Sequence, residues 1–476
     1  MNEATRMDSQ NLKTKLPPEI ILVRVSDKSM PNFKKIGAVQ TPMNLVYLAT
    51  WLDQHGHIPE IVDLDVESLS HLEEKLRCTP PYLVGITAMT PNIREAERIC
   101  VLCHSLGVKT VLGGPHPTAL PIQTLQDTGC DFVISGEGEK PLCELLRHIK
   151  ENRPTDHIKG IAFLKNGSPV VNEWYPLIPL DELPLPDRRF LKLDLYRGET
   201  TPGVLGRAAT LFTSRGCPYG CTFCASKVIN QQRIRFRSME KIFEEIDDIV
   251  NLGFNHLTVD DDTFTLNSQR VFAFCSFLMS KHPWVSWDCD SRVDAINENL
   301  LTIMKGSHCE KIAFGVESGS PRILKSINKG IDLEQVRSAF RLTRKHKILT
   351  QAFFMIGFPD ETPEDIEATE KLIYEIEPDL LFLAIVVPYP GTDIYEEMIR
   401  RGLLTQLNWD SFVFFGESVP WCTEHFNGED LVKIRKKMFL KFYFRRSYMF
   451  RKIRSIRSIR EISYFIRGGL AAWRSS

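Results

Sequence analysis

Thr213-Ser-Arg-Gly-Cys217-Pro-Tyr-Gly-Cys221-Thr-Phe-Cys224 stands at the end of the short run at 208–214 and leads into a helical pattern. Thiolates are the natural ligands of iron–sulfur clusters and of zinc, and four are usually required. This stretch supplies three, and the nearest later cysteine, Cys275, lies inside an apolar helical pattern. A zinc site would therefore lack a ligand, whereas a cubane held by three cysteines leaves one iron open. The bland alternative is three cysteines packed as small hydrophobes.

Working outward, short apolar runs at 208–214, 256–260, 285–290, 311–316, 351–357 and 380–388 alternate with helical patterns. Six such βα units predict a parallel barrel, or an incomplete one, with functional groups gathered at the C-terminal strand ends. Upstream, runs at 20–25, 61–64, 82–87, 109–113 and 131–135 alternate with helical stretches in the same way. They predict a doubly wound parallel sheet. Between the two series a hairpin around Asn166-Gly167 precedes the proline-rich Leu180-Asp-Glu-Leu-Pro-Leu-Pro-Asp187, which reads as a linker. The expected organisation is an α/β domain over 1–155, a hairpin and linker over 156–205, a partial (β/α)6 barrel over 206–400, and a helical basic region over 401–476.

The 476 residues are 43% hydrophobic and 25% charged, an ordinary globular composition that excludes fibrous and low-complexity classes. Net charge is −1, yet from Leu431 onward 14 Lys and Arg face the single acid Glu461. Ile453, Ile456, Ile459 and Ile462 recur there with arginines on their flanks. Such a basic amphipathic helix suits a membrane interface, or else packs on the acidic remainder of the chain. Twelve cysteines without regular spacing do not form a disulfide framework. With no apolar run long enough to span a bilayer, the expectation is a cytoplasmic chain, with the inner membrane face as the alternative.

The CxxxCxxC spacing, with Phe223 just before the last cysteine, resembles the radical S-adenosylmethionine (SAM) enzymes. The resemblance implies a [4Fe-4S] cluster on Cys217, Cys221 and Cys224, SAM chelated at the open iron, and Phe223 near the adenine. Asp260, Asp261 and Asp262, Arg292 in Ser291-Arg-Val-Asp294, and Glu317 in Gly315-Val-Glu-Ser-Gly319 resemble strand-end motifs of the same family. Asp262, Arg292 and Glu317 are thereby expected to contact SAM, the alternative for each being a structural ion pair or helix cap.

The upstream domain resembles the Rossmann-like cobalamin-binding domain that precedes the barrel in one branch of that family. Pro42-Met-Asn-Leu-Val-Tyr-Leu-Ala49, Leu112-Gly-Gly-Pro-His-Pro-Thr118 and Ser135-Gly-Glu-Gly-Glu139 carry the likeness. Thr87, Gly113, Gly114 and His116 are the expected cofactor-binding positions, at strand ends where backbone can approach a flat ligand. Classical cobalamin mutases place an Asp-x-His-x-x-Gly loop after the first strand. Here that loop reads Ser26-Asp-Lys-Ser-Met-Pro31, and the lookalike Asp53-Gln-His55 falls inside a helix. Cobalamin is therefore expected without a histidine on cobalt, His116 shaping its loop instead. Glu137 and Glu139 read as caps of the next helix, and the glycine spacing does not fit a nicotinamide fingerprint.

The resemblance implies a cobalamin-dependent radical SAM enzyme, most readily a methyltransferase: a 5′-deoxyadenosyl radical activates an unactivated carbon, which takes methyl from methylcobalamin. A radical cyclase or oxidative ring-forming enzyme of a tetrapyrrole or lipid pathway is the alternative, and a non-catalytic cobalamin sensor the remote one. The implied partners are a small-molecule or lipid substrate and an external one-electron reductant such as flavodoxin or ferredoxin. Nucleic acid is not expected.

Overall fold

The computed structural model describes residues 16–26, 39–196, 207–404 and 406–455. The described residues fall into two compact units, 16–26 with 42–196 and 39–41 with 207–455. The loop that follows the first strand lies mostly outside the described residues, as does the isoleucine-rich basic segment from 456 onward.

The first unit contains β1 (Ile20–Arg24), α1 (Met43–Gln54), β2 (Pro59–Asp63), α2 (Leu69–Cys78), β3 (Leu83–Thr87), α3 (Ile93–Ser105) and β4 (Lys109–Gly113). It continues with α4 (Pro115–Ala119), α5 (Pro121–Thr128), β5 (Phe132–Ile134), α6 (Glu139–Lys150), β6 (Ile161–Lys165) and β7 (Ser168–Val171). The sheet order is β2-β1-β3-β4-β5-β6-β7, with the first five strands parallel. Ile20 to Val23 of β1 are all buried, the continuous apolar run required of a strand covered on both faces. In α3, Ile93, Ala96, Ile99, Cys100 and Cys103 are buried, while Arg94–Glu97 and Arg98–Glu95 ion pairs lie outside. That division is the helical period at work.

The sheet does not end near residue 155. β6 pairs antiparallel with β5, Phe132 opposite Phe163, and β7 pairs antiparallel with β6. Asn166 and Gly167 both take positive φ, 52° and 79°, as a two-residue type I′ turn demands. The proline-rich stretch straps this same unit: Ile178, Leu180 and Leu183 pack with Trp51 of α1, and Asp187 N–H donates to Thr50 Oγ1 at 2.9 Å.

The second unit opens with β8 (Ala208–Leu211), β9 (Ser214–Arg215), α7 (Ser226–Asn230), β10 (Arg235–Phe236), α8 (Met239–Asn251), β11 (His256–Val259), α9 (Ser268–Lys281) and β12 (Ser286–Ser291). There follow α10 (Glu298–Gly306), β13 (Cys309–Glu317), α11 (Pro321–Ser326), α12 (Leu333–Lys345), β14 (Leu349–Ile356), α13 (Pro363–Ile376) and β15 (Leu380–Ile385). The last helices among the described residues are α14 (Asp393–Arg400), α15 (Gly428–Tyr443) and α16 (Arg446–Ser455). Strands β8, β11, β12, β13, β14 and β15 pair in that order, all parallel, as a six-stranded partial barrel.

Alternation along the middle strands separates two faces. Leu257, Val259, Trp287, Cys289, Ile312 and Phe314 are buried, and Phe264 and the α9 residue Phe274 meet the Trp287 ring edge-on at 5.5 and 5.1 Å. The opposite, concave face carries polar groups: His256 Nε2 lies 2.8 Å from Asp288 Oδ2, and Lys311 Nζ 3.8 Å from Asp288 Oδ1.

Candidate cofactor sites of the two units

The cysteine stretch leaves β8 under the control of Asp261. This carboxylate, 3% exposed, accepts from Thr213 N at 2.7 Å, Thr213 Oγ1 at 2.5 Å, Ser214 N at 3.1 Å and Ser214 Oγ at 2.7 Å. Burial pushes its pKa up while the four bonds oppose the shift. Antiparallel pairing of β9 with β10 then turns the chain back, and Gly216 makes the turn at φ 89°, where a Cβ would stand 2.1 Å from Arg233 O. Below the loop, buried Arg237 bonds Phe212 O at 2.8 Å and Glu245 Oε2 at 2.5 Å.

The loop is pinned from further sides. Thr222 N–H donates to Ile327 O, Thr222 O accepts from Ile394 N–H, and Asn328 Nδ2 donates to Gly220 O at 3.0 Å. Cys221 is buried, Cys217 and Cys224 half-buried. Desolvation raises all three thiol pKa values, that of Cys224 to about 11. Metal-free, these sulfurs hold their protons, and ligation must release them.

The expected neighbours are arranged as follows. Asp262 is exposed and accepts from Ser226 Oγ at 2.6 Å, beside the loop, where its charge acts on Cys217 and Cys224. Phe223 meets Phe358 edge-on at 6.2 Å. Arg292 is 5% exposed and its fork is already occupied: Nε and Nη2 bond Asp294 at 2.9 and 2.8 Å, Nη1 bonds Lys329 O at 3.0 Å, and the guanidinium lies 3.7 Å over the Tyr219 ring. An ion pair at a strand end is thus present, and the guanidinium also braces the segment that carries Lys329.

Glu317 pairs with Lys329, Nζ to Oε1 2.7 Å, both side chains 8% exposed. A bulge at Val316 and a positive φ of 71° turn the Glu317 side chain to this position. Both charges act on Cys221. Lys329 carried no motif in the sequence, and neither did Glu361. The latter is fully buried, accepts from Gly357 N and Phe358 N at 2.5 and 3.3 Å, and holds the turn on which Phe358 meets Phe223. The spacing of Gly357 to Glu361 was the available signal. Asp260 and Asp290 stand at adjacent strand ends on the concave face; burial, with repulsion from Asp261, raises Asp260 to about 6, and burial, with repulsion from Asp260, raises Asp290 to about 7.

In the first unit the C-terminal strand edge is built for close approach. Gly114 has φ 107°, and a Cβ there would lie 2.7 Å from Ala88 O and 3.2 Å from Thr87 Oγ1. Gly113 O accepts from Ala88 N–H, Thr87 Oγ1 accepts from Asn44 Nδ2, and Gly136 N–H donates to Thr118 Oγ1 at 3.0 Å. His116 is 2% exposed, lies 3.2 Å from Thr90 Oγ1, and is held to about 4 by burial, hence neutral. It ties the ends of β3 and β4 together. His55 is turned to Trp51, whose carbonyl it bonds at 2.7 Å. The sheet order reverses between β1 and β3, the switch point at which open α/β sheets take ligands.

These donor sets suit the groups the fold implies. Three thiols on one pinned loop, with no fourth cysteine in it, are a donor set for three irons of a cubane and one ligand short for a structural zinc ion. At the first unit's edge, Ser135 Oγ, next to Gly136, is buried and has no hydrogen-bond partner among the described residues, an atom open to a ligand's hydrogen bond.

Residues 211–373 match the model of the radical SAM superfamily, and residues 31–146 that of the B12 binding domain. The chain is 33% identical over 426 residues to an uncharacterised methyltransferase of Pyrococcus horikoshii, covering 88% of this chain and 91% of that one. It is 30% identical to an anaerobic magnesium-protoporphyrin IX monomethyl ester cyclase of Rubrivivax gelatinosus, covering 77% and 69%. Among solved structures, the cobalamin-dependent SAM radical enzyme OxsB superposes with a TM-score of 0.76 at 18% identity, covering 95% of this chain and 70% of that one. The radical SAM methyltransferase TsrM of Kitasatospora setae gives 0.70 at 21%, covering 82% and 77%. The chain thus belongs to the radical SAM superfamily, in the branch whose barrel follows a B12-binding domain.

Proposed function

We propose that this enzyme transfers a methyl group from SAM to an unactivated carbon of a small molecule. The observation that carries this reading is the likeness along nearly the whole of both chains to a relative described as a methyltransferase. Bound together, a [4Fe-4S] cluster, SAM and cobalamin supply radical generation and methyl carriage.

Cys217, Cys221 and Cys224 would hold the cluster. The Glu317–Lys329 pair, set against Cys221, offers a carboxylate to the SAM ammonium. Asp262 lies where a ribose hydroxyl can be met, and Phe223 offers its ring to the adenine. Arg292 acts by bracing Tyr219 and Lys329. Thr87, Gly113, Gly114 and His116 shape the corrin-facing edge without presenting an imidazole to cobalt. Substrate then enters the concave face near Asp260 and Asp290, and electrons come from an external carrier.

The basic C-terminal region is read as a contact for an anionic membrane surface. Phe444, Met449 and Phe450 are 67%, 45% and 58% exposed on a stretch that also exposes Arg446, which supports that reading. No helix among the described residues is long and apolar enough to cross a membrane.

The test is to express the chain in anaerobic cells fed trideuteromethyl methionine. A metabolite that gains an intact CD3 unit, absent with Cys217→Ala, establishes methyl transfer. The relative described as a cyclase keeps ring formation as the second reading, and a product that loses hydrogen or gains oxygen without label would favour it.

A further inference from the structure

Away from both cofactor edges, the first unit gathers Glu144 and His148 of α6 with His157 of the following loop. One ligand atom of each lies within 4.8 Å of the others. Glu144 and His148 stand at i and i+4, one above the other on a single helix face. His148 is 8% exposed, and its Nδ1 lies 2.6 Å from Pro154 O. A carbonyl only accepts, so Nδ1 carries the proton and Nε2 keeps its lone pair. This is the arrangement by which an outer hydrogen bond orients a metal-binding imidazole.

The loop bearing His157 is held in place. Asn172 Nδ2 of the strand-end segment after β7 donates to Asp156 O at 3.0 Å and Ile158 O at 2.7 Å, and Arg153 N–H donates to His148 O at 2.8 Å. The His157 ring lies 5.1 Å from that of His148, and Asp156 Oδ1 is 3.9 Å from His157 Nδ1.

We propose that Glu144, His148 and His157 form a site for one zinc-class divalent ion, which staples α6 to the loop leading into β6. Two imidazoles and a carboxylate are a donor set that zinc accepts, with water in the fourth position. Ligand atoms about 3.3 Å apart are needed at tetrahedral angles, so the site closes by small side-chain rotations. His157, 60% exposed, is free to make one. The ion would act on the framework of the cobalamin-binding unit, since His148 lies about 15 Å along α6 from the glycines at the helix start.

Cobalt(II) titration of the full chain tests this, in a Cys217/Cys221/Cys224→Ala background that removes the competing thiols. The expected result is one Co2+ per chain, displaced one-for-one by Zn2+, with d–d bands but no sulfur-to-cobalt charge-transfer band. His157→Asn and Glu144→Gln should each weaken binding on the order of tenfold or more. Zinc should raise the thermal midpoint of the parent chain and not that of His157→Asn. Retained hydroxocobalamin binding shows that each variant folds. Sulfur charge transfer, absence of a retained ion, or equal affinity in parent and folded variants overturns the proposal.

Discussion

Lys329 Nζ and Glu317 Oε1, 2.7 Å apart, fill the space in which a side chain at Gly315 would lie. A Cβ there would stand 2.8 and 2.7 Å from those two atoms. Two charges of opposite sign are thus buried on a bulged strand end, against the cysteine loop.

Removing one partner of such a pair leaves an uncompensated buried charge, at a cost of roughly 3–5 kcal/mol. Lys329→Met is therefore expected to lower the urea midpoint of the second unit markedly. Glu317→Gln added to it should recover part of the loss. In the Glu317→Gln chain alone, iron content should stay near wild type while 5′-deoxyadenosine formation falls. Loss of iron from that single variant would assign Glu317 to loop architecture instead of SAM binding.

The neighbouring aspartates separate by role. Asp261 satisfies four donors at Thr213 and Ser214, where the chain enters the cysteine loop, whereas Asp262 is exposed and its carboxylate accepts from Ser226 Oγ. Asp261→Ala orphans buried donors at about 1–3 kcal/mol each. Its expected phenotype is low iron per chain after anaerobic reconstitution, with hydroxocobalamin still bound. Asp262→Asn should hold its iron and cleave SAM more slowly. Elemental analysis beside a 5′-deoxyadenosine assay distinguishes the two.

Glu361 gives a pH dependence of defined sign. Burial raises its pKa from 4.5 to about 8. The folded chain thus keeps a proton that the unfolded chain has released between those values. Its contribution is fully present below pH 4.5 and is lost as pH rises through about 8. Asp260 and Asp290, raised to about 6 and about 7, act in the same direction. The urea midpoint of wild type should decline between pH 5.5 and 8.5 more steeply than that of Glu361→Gln. Parallel profiles would show that Glu361 is ionised in the folded state.

What was legible in the sequence was what local spacing encodes. The three cysteines lie within eight residues and the strands announce themselves by apolar runs, so the barrel, the doubly wound sheet and the cysteine loop could all be read. The Asn166-Gly167 turn was equally plain. That its hairpin extends the first sheet was not, because the pairing partner of Phe163 is Phe132, distant in sequence. The pairing of Arg292 with Asp294, two residues on, was legible as the alternative to a ligand contact, whereas its bond to Lys329 O was not. Lys329 was invisible because its meeting with Glu317 depends on a bulge and a positive φ that no pattern of residue types reports.

Gly114 offers the sharpest probe of the first unit. Its φ of 107° is costly for any L-residue, and the added Cβ would press on Ala88 O at 2.7 Å. Gly114→Ala must therefore push β4's end away from that of β3, separating Gly113 and Thr87, which the proposed site brings to one edge. Strain of this kind amounts to about 1–3 kcal/mol, which the whole unit can tolerate. The expected outcome is a folded chain with a full cluster and weakened hydroxocobalamin binding, measured by cobalt per chain after gel filtration. Gly107, also at positive φ but with open space around its missing Cβ, supplies the control. Gly107→Ala carries the cost of a positive φ without the collision, so it should bind cobalamin as wild type does. Equal loss in both variants would mean that general weakening of the sheet, and not the shape of the Gly114 edge, governs binding.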